Sequence, residues 1–298
     1  MGILIRQNNA NFASLIHFMK KILLLLGMLA ACPAMAQVQS TESGTVTDTL
    51  SANPAAVIQP AANPVQPEVF RKNIVKINLS SLALNNTSLS YERSIRPKMS
   101  VVVDYRHMPV KSVVSAPLVK KALEKFWEEE DSEDLDAVFL GNNAYTGEIR
   151  FYAGDKPGAR GLYLSLYGRY LHMKGAYHEY EYSSDVRTYI LPFNLEMKGF
   201  GGGAMVGYQW LIAKRVTLDW YILGGHYGRL NVEAPALTNL RSMTSEERMG
   251  LKDDIESLNE EIPGVSLKAT VTDEGVDVKG KAPFYGLRGL GFSLGVAF

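Results

Sequence analysis

The sequence predicts an all-β chain, an eight-stranded antiparallel up-and-down barrel of the transmembrane kind, with short helices in its outer loops. Three observations carry this. From Lys72 onward, large apolar residues alternate with small or polar ones, the period of a strand that meets different surroundings on its two faces. The connections after strands two, four and six are short and those after three, five and seven are long, the asymmetry of barrels with short periplasmic turns and long outer loops. The last stretch, Phe284 to Phe298, sets Leu290, Phe292, Leu294, Val296 and Phe298 on one face and Gly289, Gly291, Ser293, Gly295 and Ala297 on the other. Its large face suits lipid and its small face suits a packed lumen.

In order, the first strand opposes Val75, Ile77 and Leu79 to Lys76, Asn78 and Ser80, and Asn85-Asn86 turns the chain. The second opposes Leu89 and Tyr91 to Ser88, Ser90 and Glu92. The third sets Val101, Val103 and Tyr105 against Ser100, Asp104 and Arg106, before an excursion over 108–143. The fourth carries Tyr145, Ile149 and Phe151 against Thr146, Glu148 and Arg150, and Asp155-Lys156-Pro157-Gly158 turns it back. In the fifth, Leu162, Leu164, Leu166 and Tyr170 face away from Ser165, Tyr167 and Arg169, and a loop is expected over 174–192. The sixth alternates Phe200, Ala204, Val206, Tyr208 and Trp210 with Gly201, Gly203, Gly207 and Gln209, turning at Ala213-Lys214-Arg215. The seventh opposes Val216, Leu218, Trp220 and Ile222 to Thr217, Asp219 and Tyr221 and leads into the longest excursion, 231–282. Tyr and Trp near the strand ends fit aromatic girdles.

Residues 1–36 read as an export signal. Lys20-Lys21 precede an apolar run from Ile22 to Ala31, and Ala34-Met35-Ala36 before Gln37 has the A-x-A form of a cleavage site. Met19 is an alternative start. Cys32, the single cysteine, follows Leu29-Ala30-Ala31 and is a candidate for lipidation; removal with the signal is the plainer expectation, and it leaves a mature chain without thiol chemistry. Residues 37–71, with Pro54, Pro60, Pro64 and Pro67, bury too little to offset ordering entropy and are expected to form a disordered periplasmic linker before the barrel of 72–298. These features predict the outer membrane as the location.

Formal net charge is zero over 298 residues, which gives no reason to expect nucleic acid. Eight strands enclose a space that side chains can fill. The inward set is Lys76, Glu92, Asp104, Arg106, Glu148, Arg150, Arg169 and Asp219. Because buried charge is tolerated when paired, these are expected to form a salt-bridged network that plugs the lumen. No catalytic residue, cofactor or metal is assigned. A rim-sited lipid-modifying enzyme is the alternative, with His226 its best candidate among His107, His172, His178 and His226, and a narrow ion pore is the third reading. A soluble ligand-binding barrel would need the large faces turned inward.

The excursions predict a helix over 117–130 with an acidic tail from Glu128 to Asp136, a solvated face or a weak divalent-cation site. They also predict a capping box at Thr244-Ser245-Glu246-Glu247 and a hairpin around Asp273-Glu274-Gly275. Such loops favour contact with a partner outside the cell.

Lys76-Ile77-Asn78-Leu79-Ser80-Ser81-Leu82-Ala83-Leu84, Ser90-Tyr91-Glu92-Arg93, Glu148-Ile149-Arg150-Phe151-Tyr152 and Leu218-Asp219-Trp220-Tyr221-Ile222-Leu223-Gly224 resemble a group of uncharacterised Gram-negative outer-membrane barrels. More distantly the architecture is similar to OmpA- and OmpX-type barrels, without a C-terminal peptidoglycan-binding domain. The ending on Phe298 resembles the C-terminal signature read by the barrel-assembly machinery. The resemblance implies lipid and lipopolysaccharide as surroundings and a structural or surface-interaction role.

Overall fold

The computed structural model describes residues 71–82, 85–112, 115, 137–184 and 187–298. The signal and linker, Cys32, and the helix and acidic tail expected over 117–136 lie outside the described residues. Among the described residues nine strands form one antiparallel sheet: β1 (Asn73–Asn78), β2 (Thr87–Arg96), β3 (Met99–Ser112), β4 (Val138–Tyr152), β5 (Gly161–Ser183), β6 (Thr188–Ile212), β7 (Val216–Leu237), β8 (Ser266–Thr272) and β9 (Gly275–Ala297). A one-turn helix, α1 (Leu79–Leu82), follows β1, and α2 (Ser245–Glu256) and α3 (Leu258–Glu261) stand between β7 and β8. Among the described residues no helix is long and apolar enough to cross a membrane.

The sheet closes on itself. β1 pairs with β2 on one edge and with β9 on the other, Ile74 opposite Ala297 and Asn78 opposite Ser293. β9 is shared along its length: its C-terminal part pairs with β1, and its N-terminal part pairs with β8, from Thr272 opposite Gly275 to Ser266 opposite Lys281. β8 therefore continues the ring above the end of β1.

Three stretches expected as loops are strand instead. β3 and β4 run to Ser112 and from Val138; β5 and β6 continue through 174–192 as a hairpin; and β7 and β9 extend to Leu237 and back to Gly275. The physical reason is an inversion of phase. In the lower half the outward side chains are apolar, as with Leu162, Leu164 and Leu166 on β5, while Tyr163, Ser165 and Tyr167 are buried inside. In the upper half Leu171 and Met173 point inward and are buried, and Lys174 is exposed. β7 does the same, with Leu230 and Val232 buried and Arg229, Asn231 and Glu233 exposed. Alternation persists, but polar and apolar change places.

The inward apolar side chains of the upper half make a core of their own with Leu251 and Ile255 of α2, Leu258 of α3 and Leu267 and Ala269 of β8. This is a water-type cap. Thr244 opens α2 with both halves of a capping box: Glu247 N–H donates to the Thr244 hydroxyl at 3.2 Å and Thr244 N–H to the Glu247 carboxylate at 2.7 Å. The short connections at the other end are tight; Ala213 and Lys214 take φ of 47° and 59° between β6 and β7, the left-handed pair that suits the twist of a hairpin.

Outside the lower half an apolar belt runs round the ring, including Val75, Val103, Ile149, Leu164, Val206 and Leu294, each at least 36% exposed. Aromatic rows border it. Tyr105, Tyr145, Tyr170 and Phe200 stand directly opposite one another on β3 to β6, and Tyr208, Trp210, Trp220 and Phe292 stack at the other edge, with ring centroids 4.6, 6.4 and 6.0 Å apart.

Candidate functional site

The charged interior of the ring is the candidate site. Period two alone brings its members inside, because Lys76, Glu92, Glu148, Arg150 and Asp219 each sit one position from an outward apolar residue. All five are at most 1% exposed. Lys76 Nζ and Arg150 Nη1 share Asp219 Oδ2, each at 2.6 Å, and the Tyr163 hydroxyl donates to Oδ1 at 2.7 Å. Lys76 also pairs with Glu92 and donates to Gln209, whose amide N–H in turn donates to the Ala159 carbonyl at 2.6 Å. Arg150 Nε pairs with Glu148 at 2.9 Å, while its guanidinium carbon lies 4.4 Å from the Tyr163 ring centroid. The Ser100 and Tyr152 hydroxyls donate to Glu92.

Every carboxylate oxygen of Asp219 thus has a donor, and each of the two shared cations touches more than one carboxylate. In a dry interior this arrangement is close to neutral in net stability, but removing one partner leaves a buried charge uncompensated, at about 3–5 kcal/mol. The network ties β1, β2, β4 and β7 together across the ring.

The remaining predicted members do not join it. Asp104 accepts from the Ser88 hydroxyl at 2.7 Å. Arg169 is 7% exposed and donates through Nε to Thr146 Oγ1 at 3.1 Å. Arg106 has a buried Nε without a hydrogen-bond partner. Among the described residues neither arginine forms a salt bridge, so pairing does not extend to all of the inward set.

A further member, Arg288, was not expected inside. Strict alternation back from Leu290 and Phe292 sends it outward, yet its guanidinium bonds Glu148 and lies over the rings of Tyr167 and Tyr221, at 5.2 and 4.9 Å from their centroids. Leu290, at φ 53°, breaks the alternation, and β7 slips against β6 at the same level, around Ile222. Both strands change face there. The signal available in the sequence is an arginine placed on a face otherwise apolar.

The same shift turns His226 inward, 7% exposed, with Nδ1 3.3 Å from the Tyr167 hydroxyl and its ring edge-on to Phe284. His107 and His172 bond Asn143 and Glu196; among the described residues none of the three hydrogen-bonds a serine. Among the described residues no group of three His, Cys, Asp or Glu could hold a metal ion. The terminal face of Leu290, Leu294, Val296 and Phe298 is exposed on the outside of β9, with Phe292 half-buried in the aromatic row. Comparison with known proteins found no matching family model, no matching curated protein and no matching solved structure.

Proposed function

We propose that this chain is an integral outer-membrane β-barrel protein whose eight ring strands, β1 to β7 and β9, cross the bilayer. Its lumen is plugged by the salt-bridged network, and it acts as a structural or surface-interaction protein through the cap. One observation carries the reading: the polarity of both faces of the wall inverts at a single level. Below it, apolar side chains face out and charges face in; above it, charges face out and a dry core lies inside. A single solvent cannot favour both halves. Lipid below and water above favours each of them.

Dimensions support the same reading. From Phe200 to Trp210, the two aromatic rows on β6, the rise is about 33 Å along the strand and, at a tilt of about 40°, about 25 Å along the normal, the height of an outer-membrane apolar band. In water the belt would be a continuous apolar surface far beyond the few hundred Å² usual on soluble monomers. Lipid and lipopolysaccharide then surround the belt, the barrel-assembly machinery inserts it, and the cap meets a partner outside the cell.

Gel mobility of the outer-membrane fraction tests this. A band that runs faster unboiled than boiled, protected from protease except in the cap, is the expected result. Recovery in the soluble periplasmic fraction with no heat shift overturns it.

A further inference from the structure

The charges inside the ring do not balance, and the excess is localised. Lys76, Arg150 and Arg288 are matched by Glu92, Glu148 and Asp219 within the network. Above it, among the described residues, Arg106 and Arg169 face one carboxylate, Asp104, which accepts from Ser88. Arg106 stands two positions along β3 from Asp104, whose register partner Thr146 is in turn the partner of Arg169, and Arg288 lies over the ring of Tyr167, two positions from Arg169 on β5. The three arginines come from β3, β5 and β9, three sides of one chamber. Gly199, Gly201 and Gly203 are the inward positions of β6 at this level, so that strand supplies no side chain to pair them.

Orphaned donors and acceptors point the same way. Among the described residues Arg106 Nε and His226 Nε2 are both buried without a hydrogen-bond partner, and Arg169 and His226 are themselves more than nine-tenths buried. A buried guanidinium lacking a counter-charge is strongly disfavoured unless something supplies that charge. The floor of the chamber is the neutral network and its roof is the apolar cap core at Leu171 and Phe284. Asp104 and Arg106 are only half-buried, so the chamber opens towards β2 and β3, where β1 stops at Asn78.

We propose that this chamber binds a phosphate-type oxyanion between the guanidinium groups of Arg106, Arg169 and Arg288. Guanidinium forks match phosphate oxygens in geometry as well as charge, and a tetrahedral anion offers oxygens to three forks where a planar carboxylate offers two. The site needs only the closed ring, so it stands or falls apart from the membrane reading. Its phosphate is either free or carried on a lipid headgroup that reaches the opening.

The test is isothermal titration of the full chain in an amine-oxide detergent with inorganic phosphate and, separately, with dihexanoyl phosphatidic acid. Saturable phosphate binding is expected, weakened at least tenfold in Arg106→Met and in Arg169→Met, each checked for an unchanged heat shift on gels. Asp104→Asn, which removes a repelling carboxylate and no packing volume, is expected to tighten binding several-fold, and it keeps the test decisive if the arginine variants misfold. Tighter binding of the short-chain lipid assigns the site to a headgroup; equal or weaker binding assigns it to the free anion. No saturation by either probe at millimolar concentration overturns the proposal, as does unchanged affinity in both Arg106→Met and Asp104→Asn.

Discussion

Arg288 reaches Glu148 across the ring because β9 changes face at Leu290, two positions further on. Deleting Leu290 removes the extra residue between Gly291 and Arg288, so strict alternation through β9 keeps Arg288 in and Tyr285 and Leu287 out. Retention of the heat-shifted form on gels is the expected outcome. Leu290→Gly, which relieves a left-handed backbone worth about 1 kcal/mol, is expected to retain it.

Asp219 accepts from Lys76, Arg150 and Tyr163. Asp219→Asn leaves two buried cations short of a counter-charge and is expected to lower unfolding stability by about 3–5 kcal/mol. Urea titration in detergent micelles, followed by tryptophan emission, measures it. The double variant Lys76→Met/Asp219→Asn is expected to recover part of the loss, because one of the stranded charges is gone.

Leu166 and Tyr170 stand on the same outward face of β5, the first in the middle of the belt and the second in its aromatic border. In lipid, Leu166→Arg is expected to destabilise by about 2–4 kcal/mol and Tyr170→Arg by about 0–1 kcal/mol. Equal small effects at both positions, measured by unfolding from vesicles, would remove the lipid-facing assignment.

Asp254, half-buried on α2, has its carboxyl pushed up to about 6 by burial and by Asp253 beside it, from an ordinary 3.8. The folded cap therefore holds this proton more tightly than the unfolded chain, so its stability falls as pH rises from about 4 to about 6 and stays low above. The full shift corresponds to about 3 kcal/mol; solvent screening of a half-exposed group reduces it to about 1 kcal/mol. Trypsin cleavage at Arg248 and Lys252 is expected to quicken across that pH window, after correction for trypsin's own pH profile, and Asp254→Asn is expected to abolish the change.

Thr244→Ala removes the side-chain half of the capping box and is expected to destabilise α2 by about 1 kcal/mol. Hydrogen exchange is expected to rise in the first turn of α2 while the protection of β4 and β5 is unchanged.

The lower ring is legible in the sequence because each of its strands keeps one phase: Lys76 between Val75 and Ile77, or Asp219 between Leu218 and Trp220, can be placed by counting. The capping box and the turn at Asp273-Glu274 are legible because their chemistry is local. The upper strands are not. Once Leu171 and Met173 turn inward, the pattern that marks outward residues below marks inward ones above, and a template with one solvent reads the change as a loop. Arg288 and His226 are hidden for a related reason, since a single left-handed residue and a slipped register, at Leu290 and Ile222, reverse the count. The unpaired state of Arg106 and Arg169 depends on which side chains meet across the ring, which no local pattern contains.

The shared strand β9 bears on the order in which the ring assembles. Its seam with β1 joins Asn73 to Phe298, 225 positions apart, so the search for that pairing is the slowest step available to the chain. The pairing of β9 with β8 spans only the Asp273-Glu274 turn and forms on the timescale of an isolated hairpin. β8 can therefore hold the first third of β9 extended and in register before β1 arrives. The cap then serves as a template for the strand that closes the wall, and lesions in β8 are expected to slow closure well before they weaken the finished ring.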